Sequence, residues 1–89
     1  MESALIVSST AKGTAFFTEM LRSAAFTHLA AVSSGGEARR LLLEKDFDLV
    51  VINAPLCDES GESLARHIAA KGISQVILVV KSEYFDEVS

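Results

Sequence analysis

Short runs of aliphatic residues alternate along the chain with longer segments in which apolar residues recur at helical spacing. An aliphatic run without charge is typical of a strand that is buried on both faces of a parallel sheet. Such runs predict four strands, over residues 4–7, 28–32, 48–53 and 76–80. The third run is the strongest, because its consecutive aliphatic residues indicate the centre of the sheet.

Amphipathic helices are predicted between these strands. They span residues 12–25, 37–45 and 60–71. The second helix is expected to have its N-cap near Ser34 or Gly35, and Ser60 is expected to cap the third. Gly72 ends the third helix, and residues 83–88 look like the first turns of a fourth.

The alternation of strands and helices predicts an α/β domain with right-handed crossovers and a doubly wound parallel sheet. Ligands and reacting groups of such sheets collect at the carboxyl ends of the strands. Asn53 ends the strongest strand, so this chain has a neutral amide where a carboxylate could do chemistry. Other residues at these strand ends are Ser8, Ser9, Thr10, Ser33, Ser34, Ala54, Val80, Lys81 and Ser82.

The composition is that of one small globular domain. The 89 residues are 49% hydrophobic, with a mean hydropathy of +0.34, which favours a packed core over disorder. So large an apolar share in so short a chain indicates that helices cover both faces of the sheet or that apolar surface awaits a partner.

Charge and cysteine content exclude several kinds of site. The chain has 12 acidic and 8 scattered basic residues, for a net charge of −4, which argues against direct nucleic-acid binding by this segment. The single cysteine, Cys57, excludes an internal disulfide framework and a multi-cysteine metal site. No secretory signal is visible, nor any apolar run of the ~18 residues that span a bilayer. A soluble, cytoplasmic domain is therefore expected.

Several other residues are expected to have structural rather than chemical roles. Gly35 and Gly36 lack the Lys and the Ser or Thr of a phosphate-binding P-loop, so a turn with positive φ is expected there. Cys57 has no predicted base beside it and is expected to be a free structural thiol. The adjacent acids Asp58 and Glu59 are expected to favour the dipole of the third helix rather than to bind a metal.

The long stretch GEARRLLLEKDFDLVVIN leads into and through the third strand, and Gly61 follows Asn53 by eight residues. With the predicted strand order, these features resemble a response-regulator receiver domain, of the CheY-like, flavodoxin-like fold, over essentially the whole chain. Three stretches, ALIVSST, SSGGEARRLLLEKDFDLVVINAPL and VILVVKSE, look more narrowly like degenerate receivers. Receivers of that kind precede RNA-binding ANTAR antiterminator domains in some bacteria.

The resemblance also implies what the strand ends do. In phosphorylated receivers an acidic pair after the first strand helps bind Mg²⁺, an Asp after the third accepts the phosphoryl group, and a Thr or Ser ends the fourth. At or near these positions this chain has a degenerate phosphoacceptor pocket: Ser8, Ser9, Asn53, Val80, Lys81 and Ser82. A pseudo-receiver without phosphorylation, enzymatic activity, metal or cofactor is therefore expected. The Asn53 amide should hydrogen-bond to the backbone or to Ser8 and Ser9.

The receiver sheet that the resemblance implies has five strands, in the order 2-1-3-4-5, and this chain supplies four. Residues 1–89 are therefore expected to form a single receiver-like domain that lacks the last strand, with its Lys, and the last helix. The fourth strand would then leave a long apolar edge, which natural proteins avoid. Either another chain is expected to cover that edge or the apolar surface under the missing last helix, or the 89 residues are a fragment of a longer protein. The partner would be a second copy, in a homodimer, or the output domain of the same regulator.

The loop at residues 6–14, IVSSTAKGT, supports an alternative function. Its hydroxyls and glycine precede a helix, and backbone N–H groups at a helix start favour an anion. Ser9, Thr10, Gly13 and Thr14 would then bind phosphate or a mononucleotide in a small flavodoxin-like module. A capped helix start, with Ser or Thr as the N-cap, explains the same residues without a ligand.

Overall fold

The computed structural model describes residues 3–80, in which strands and helices alternate. The elements are β1 (Ser3–Ser8), α1 (Ala11–Ser23), β2 (His28–Val32), α2 (Gly35–Glu44), β3 (Leu49–Asn53), α3 (Gly61–Lys71) and β4 (Gln75–Val79). Every strand and helix predicted within this range is present, with bounds that differ by at most two residues. The predicted fourth helix lies outside the described residues. Over residues 3–80, no helix combines the length and the apolar character needed to cross a membrane.

The strands form one parallel sheet in the order β2-β1-β3-β4, which confirms the predicted architecture. The two central strands are β1 and β3. Ser8 of β1 pairs with Asn53 of β3, and Asn53 also pairs with Val79 of β4. The carboxyl ends of these three strands therefore meet at one end of the sheet, where ligand sites of such folds form.

Helices pack on both faces of the sheet. The face under α2 and α3 has a core formed by Leu5, Val7, Ala38, Phe47, Val50, Ile52, Leu64 and Ile68. The face under α1 has a core formed by Ala4, Ile6, Phe17, Leu21, Leu49 and Val51. Successive residues of β1 and β3 enter opposite cores, so both strands are aliphatic at consecutive positions rather than at alternate ones.

The start of α2 differs from the prediction. The helix begins at Gly35, two residues early, with Ser34 as its N-cap. Gly35 and Gly36 are therefore helical, and the expected turn of positive φ is wrong; among the described glycines, Gly72 has positive φ (70°). A β-carbon at Gly35 would overlap the Glu59 side chain, so the glycine there permits close packing instead.

Helices α1 and α3, which lie on opposite faces of the sheet, are each followed by a residue in the left-handed conformation. α1 stops at Ser23, and Ala25 adopts the left-handed conformation, with φ 72°. The Phe26 amide donates to the Leu21 carbonyl at 3.1 Å, which closes the last turn of the helix. α3 ends at Lys71 with Gly72 as its C-cap, as predicted, and this glycine adopts the same left-handed region at no steric cost.

Candidate functional site

An uncharged hydrogen bond joins the ends of β1 and β3. Ser8 is 2% exposed and lies beside Asn53. The Asn53 Nδ2 donates to Ser8 Oγ at 3.1 Å. Ser8 Oγ also donates to the Thr10 carbonyl at 3.2 Å and accepts from the Thr10 amide at 3.4 Å. The predicted hydrogen bond between Asn53 and Ser8 is therefore confirmed, and it connects two neutral groups.

The first turn of α1 lies directly against this pair. A β-carbon at Gly13 would overlap Asn53 Nδ2 and would lie 2.6 Å from Ser8 Oγ and 2.9 Å from Thr10 Oγ1. These separations are shorter than a real side chain tolerates, so position 13 requires glycine. The backbone of α1 at Gly13 therefore packs directly against the Asn53 side chain.

Ser9 connects the loops that follow β1, β2 and β3. Its Oγ donates to the Ser33 carbonyl at 3.1 Å and accepts from the Cys57 amide at 3.1 Å. The Cys57 Sγ lies 3.8 Å from the same carbonyl and donates to it, and its thiol is exposed and free. The Asn53 amide thus bonds to Ser8, whereas the Ser9 hydroxyl bonds to the neighbouring loops.

Asp58 binds the start of α2 and not the start of α3. Its Oδ1 accepts from the Gly35 amide and its Oδ2 from the Gly36 amide, both at 2.9 Å. These two hydrogen bonds hold the pKa of Asp58 below its ordinary value. The prediction that Asp58 serves the dipole of α3 is therefore wrong, because the β3–α3 loop brings its carboxylate to the neighbouring helix instead.

Glu59 is held by an arginine of α2. Arg39 Nε donates to Glu59 Oε2 at 2.9 Å and Arg39 Nη2 donates to Oε1 at 2.7 Å, which makes the ion pair bidentate. The hydrogen bonds from Arg39 lower the pKa of Glu59, and the same bonds raise the pKa of Arg39. Across residues 3–80, no group of three or more His, Cys, Asp or Glu side chains could hold a metal ion.

Glu37 adds a further carboxylate at the start of α2. Its Oε1 accepts from the Ser33 amide at 2.9 Å and from Ser33 Oγ at 3.1 Å, and these bonds lower the pKa of Glu37. The Glu37 amide donates to Ser34 Oγ at 3.2 Å. Glu37 was not predicted as a site residue, although the spacing Ser34-x-x-Glu37 is typical of a capping box. Asp58 has no such local signal, because it binds amides 23 and 22 residues away.

The predicted anion-binding loop forms a capped helix start. Thr10 is the N-cap of α1, and its Oγ1 accepts from the Gly13 amide at 3.1 Å. Thr14 Oγ1 donates to the Thr10 carbonyl at 3.0 Å. With Ser9 bonded to the other loops, each hydroxyl of the predicted loop has a partner within the protein. Anion binding at this loop stays a prediction.

β4 brings an apolar residue to this end of the sheet. Val79 pairs with Asn53, and its carbonyl accepts from the Ala54 amide at 2.8 Å. Val80 follows the strand and is exposed. The remaining predicted residues of the degenerate pocket lie outside the described residues: Lys81 and Ser82.

No protein-family model matches the chain, and no curated protein does. A CheY-like receiver domain from Methylobacillus flagellatus is 28% identical, with a TM-score of 0.80 over 90% of this chain and 70% of that chain. The signal receiver domain of a modulated diguanylate cyclase from Desulfovibrio desulfuricans G20 is 23% identical, with a TM-score of 0.81 over 99% and 74%. The response regulator TrrA from Thermotoga maritima, in complex with Mg²⁺-BeF, is 21% identical, with a TM-score of 0.79 over 99% and 93%.

These likenesses extend over nearly all of the chain and concern its backbone arrangement. The described part has the parallel order β2-β1-β3-β4, with α1 on one face of the sheet and α2 and α3 on the other. This chain therefore has the flavodoxin-like α/β fold of response-regulator receiver domains.

Proposed function

We propose that the chain is a phosphorylation-incompetent pseudo-receiver of a bacterial signalling or transcription regulator, which binds another protein and catalyses no reaction. The observation that carries this proposal is the hydrogen bond from Asn53 to Ser8 at the ends of β3 and β1. Phosphoryl transfer to a receiver needs a nucleophilic carboxylate and Mg²⁺ held by anionic oxygens. An amide and a serine hydroxyl supply neither.

The surrounding loops support the same function. The Asp58 carboxylate is engaged by the amides of Gly35 and Gly36, and the Glu59 carboxylate by Arg39. Both acids near the end of β3 thus hold the β3–α3 loop on α2. A loop fixed in this way suits a scaffold better than a switch that must bind and release a metal and a phosphoryl group.

The resemblance to receivers that precede ANTAR domains favours a role in transcription antitermination. Under this proposal the output domain binds RNA, and residues 1–89 bind protein. The net charge of −4 supports this division of roles, because a nucleic-acid backbone attracts basic surfaces and not acidic ones.

An NMR titration with Mg²⁺ and beryllofluoride, followed by acyl phosphate, tests this function. TrrA is the positive control, since its structure contains Mg²⁺-BeF. We expect shifts in TrrA and none at Ser8, Asn53 or Ala54 of this chain, and intact mass should show no phosphoryl adduct. Shifts clustered at those residues, or an adduct, would overturn the proposal.

A further inference from the structure

The β3–α3 loop is attached to neighbouring elements through three consecutive residues. The Cys57 amide donates to Ser9 Oγ at 3.1 Å. The Asp58 carboxylate accepts from the first two amides of α2, both at 2.9 Å. The Glu59 carboxylate accepts from Arg39 at 2.9 Å and 2.7 Å. One short stretch of the loop therefore holds the loop after β1, the start of α2 and the side of α2.

These attachments belong to one hydrogen-bond network. Ser9 Oγ, which accepts from the Cys57 amide, also donates to the Ser33 carbonyl at 3.1 Å. The amide and the hydroxyl of Ser33 in turn donate to Glu37 of α2, at 2.9 Å and 3.1 Å. The loops after β1, β2 and β3 are thus joined to each other and to the first turn of α2.

The first turn of α2 is shaped to receive the β3–α3 loop. A β-carbon at Gly35 would overlap the Glu59 side chain, and one at Gly36 would lie 3.3 Å from Asp58 Oδ2. Glycine is a poor helix former, and the first amides of a helix have no acceptor within it. The two glycines therefore let the loop approach closely and leave the start of α2 dependent on the loop.

We propose that the β3–α3 loop is a latch that joins the end of β3 to α2, and that its three attachments form and break as one unit. Residues 57–59 are consecutive, with neighbouring Cα atoms about 3.8 Å apart, so one of them cannot leave its partner without displacing the next. Opening of the latch removes the acceptors of the first two α2 amides together with that of the Cys57 amide. Its closure depends only on groups of the chain itself, whether or not the chain is a pseudo-receiver.

A latch of this kind couples α2 to the ends of the strands. A protein that displaces the first turn of α2 also releases the loop after β3, because Asp58 and Glu59 lose their partners. Ser9 and Ser33 carry the change to the loops after β1 and β2. The latch is thus a two-state element through which binding at α2 alters the opposite side of the same sheet end.

Amide hydrogen exchange, followed by NMR on the 89-residue chain, tests whether the latch opens as one unit. The amides of Gly35 and Gly36 donate to Asp58, and the Cys57 amide donates to Ser9. Each of these amides exchanges when its acceptor moves away. Together they report on two separate attachments of the latch.

Arg39→Gln perturbs the third attachment. It removes the ion pair with Glu59, which is not the acceptor of any of the three amides. We expect all three amides to exchange roughly fivefold faster in this variant, and by the same factor. Arg39→Lys keeps the charge and loses the bidentate geometry, so its effect should be smaller and again equal at the three amides.

Arg22→Gln is the matched control. It removes an arginine–glutamate ion pair of 3.0 Å, with Glu19, from the exposed surface of α1. The exchange of the three latch amides should be unchanged in this variant. The Gly13 amide donates to Thr10 Oγ1 at the start of α1 and reports on the rest of the molecule. Its exchange should be the same in Arg39→Gln as in the wild type.

Three results of the Arg39→Gln experiment would overturn the proposal. They are faster exchange at Gly35 and Gly36 without Cys57, an unchanged rate at all three amides, and an equal increase at Gly13. The Mg²⁺ and beryllofluoride titration instead reports on Ser8 and Asn53, so the latch and the proposed function can fail separately.

Discussion

At the scale of single residues, Asn53 is the position at which a charge would most directly disrupt the hydrogen bond between the ends of β1 and β3. Its Nδ2 donates to Ser8 Oγ, and neither Asp nor Ala could do so. We expect Asn53→Asp and Asn53→Ala each to lower the free energy of unfolding by about 1 kcal/mol, the worth of one hydrogen bond. Mg²⁺ should not recover the loss in Asn53→Asp, because one carboxylate beside two serines is a poor ligand set. Urea unfolding with and without Mg²⁺ measures both effects, and stabilisation of Asn53→Asp by Mg²⁺ would show that a metal pocket persists.

Ala25 has an unfavourable backbone conformation at the end of α1. Its φ of 72° lies in the left-handed region, which costs a residue with a β-carbon roughly 1–2 kcal/mol. Ala25→Gly should therefore raise the free energy of unfolding by about 1 kcal/mol. Ala24→Gly is the matched control, since residue 24 has φ −90° and glycine there gains nothing. Thermal and urea unfolding compare the two variants, and an equal change in both would contradict this explanation.

At the scale of elements, the start of α2 is unusual because two glycines, which are poor helix formers, occupy its first positions. The amides of both glycines donate to Asp58, and the Glu37 amide donates to Ser34. The orphan N–H groups of the first turn are thus satisfied by side chains, and the negative charge of Asp58 complements the helix dipole. These contacts offset the low propensity of the glycines, which in turn allow Glu59 to approach.

The same contacts predict how stability depends on pH. The pKa of Asp58 is lower in the folded protein than its ordinary value because it accepts the two glycine amides. The stabilisation that ionised Asp58 gives to the folded protein is therefore complete above the unfolded pKa of about 4. It is lost as pH falls through the folded pKa. The pKa values of Glu37 and Glu59 are lowered in the folded protein as well. We expect the free energy of unfolding to decline on acidification below about pH 4.

Asp58→Asn should weaken this dependence on pH. The variant should be less stable than the wild type at neutral pH and should lose less stability on acidification, because one of the ionised groups is absent. Glu62→Gln is the control: it removes the same charge from α3 without touching the start of α2. Urea unfolding at several pH values measures the three proteins, and identical pH profiles for Asp58→Asn and the wild type would refute the role of Asp58.

At the scale of the whole molecule, the fold follows from local patterns. Residues 49–52 are buried on both faces of the sheet, and for that reason their aliphatic run identified a central strand. Ser60 caps the start of α3 with its hydroxyl, and Gly72 caps the end by adopting the left-handed conformation, as both residue types predict. The meeting of Ser8 and Asn53 was predictable as well, because a parallel sheet aligns the ends of its strands.

The rest of the site depends on contacts between residues far apart in the sequence. Asp58 reaches the amides of α2 because of the path that the β3–α3 loop takes. No residue spacing in the sequence predicts that path. Gly13 packs on Asn53 across 40 positions of the chain. Ala25 adopts positive φ although it is not glycine, so the usual residue signal for that conformation is missing. Tertiary packing decided each of these cases.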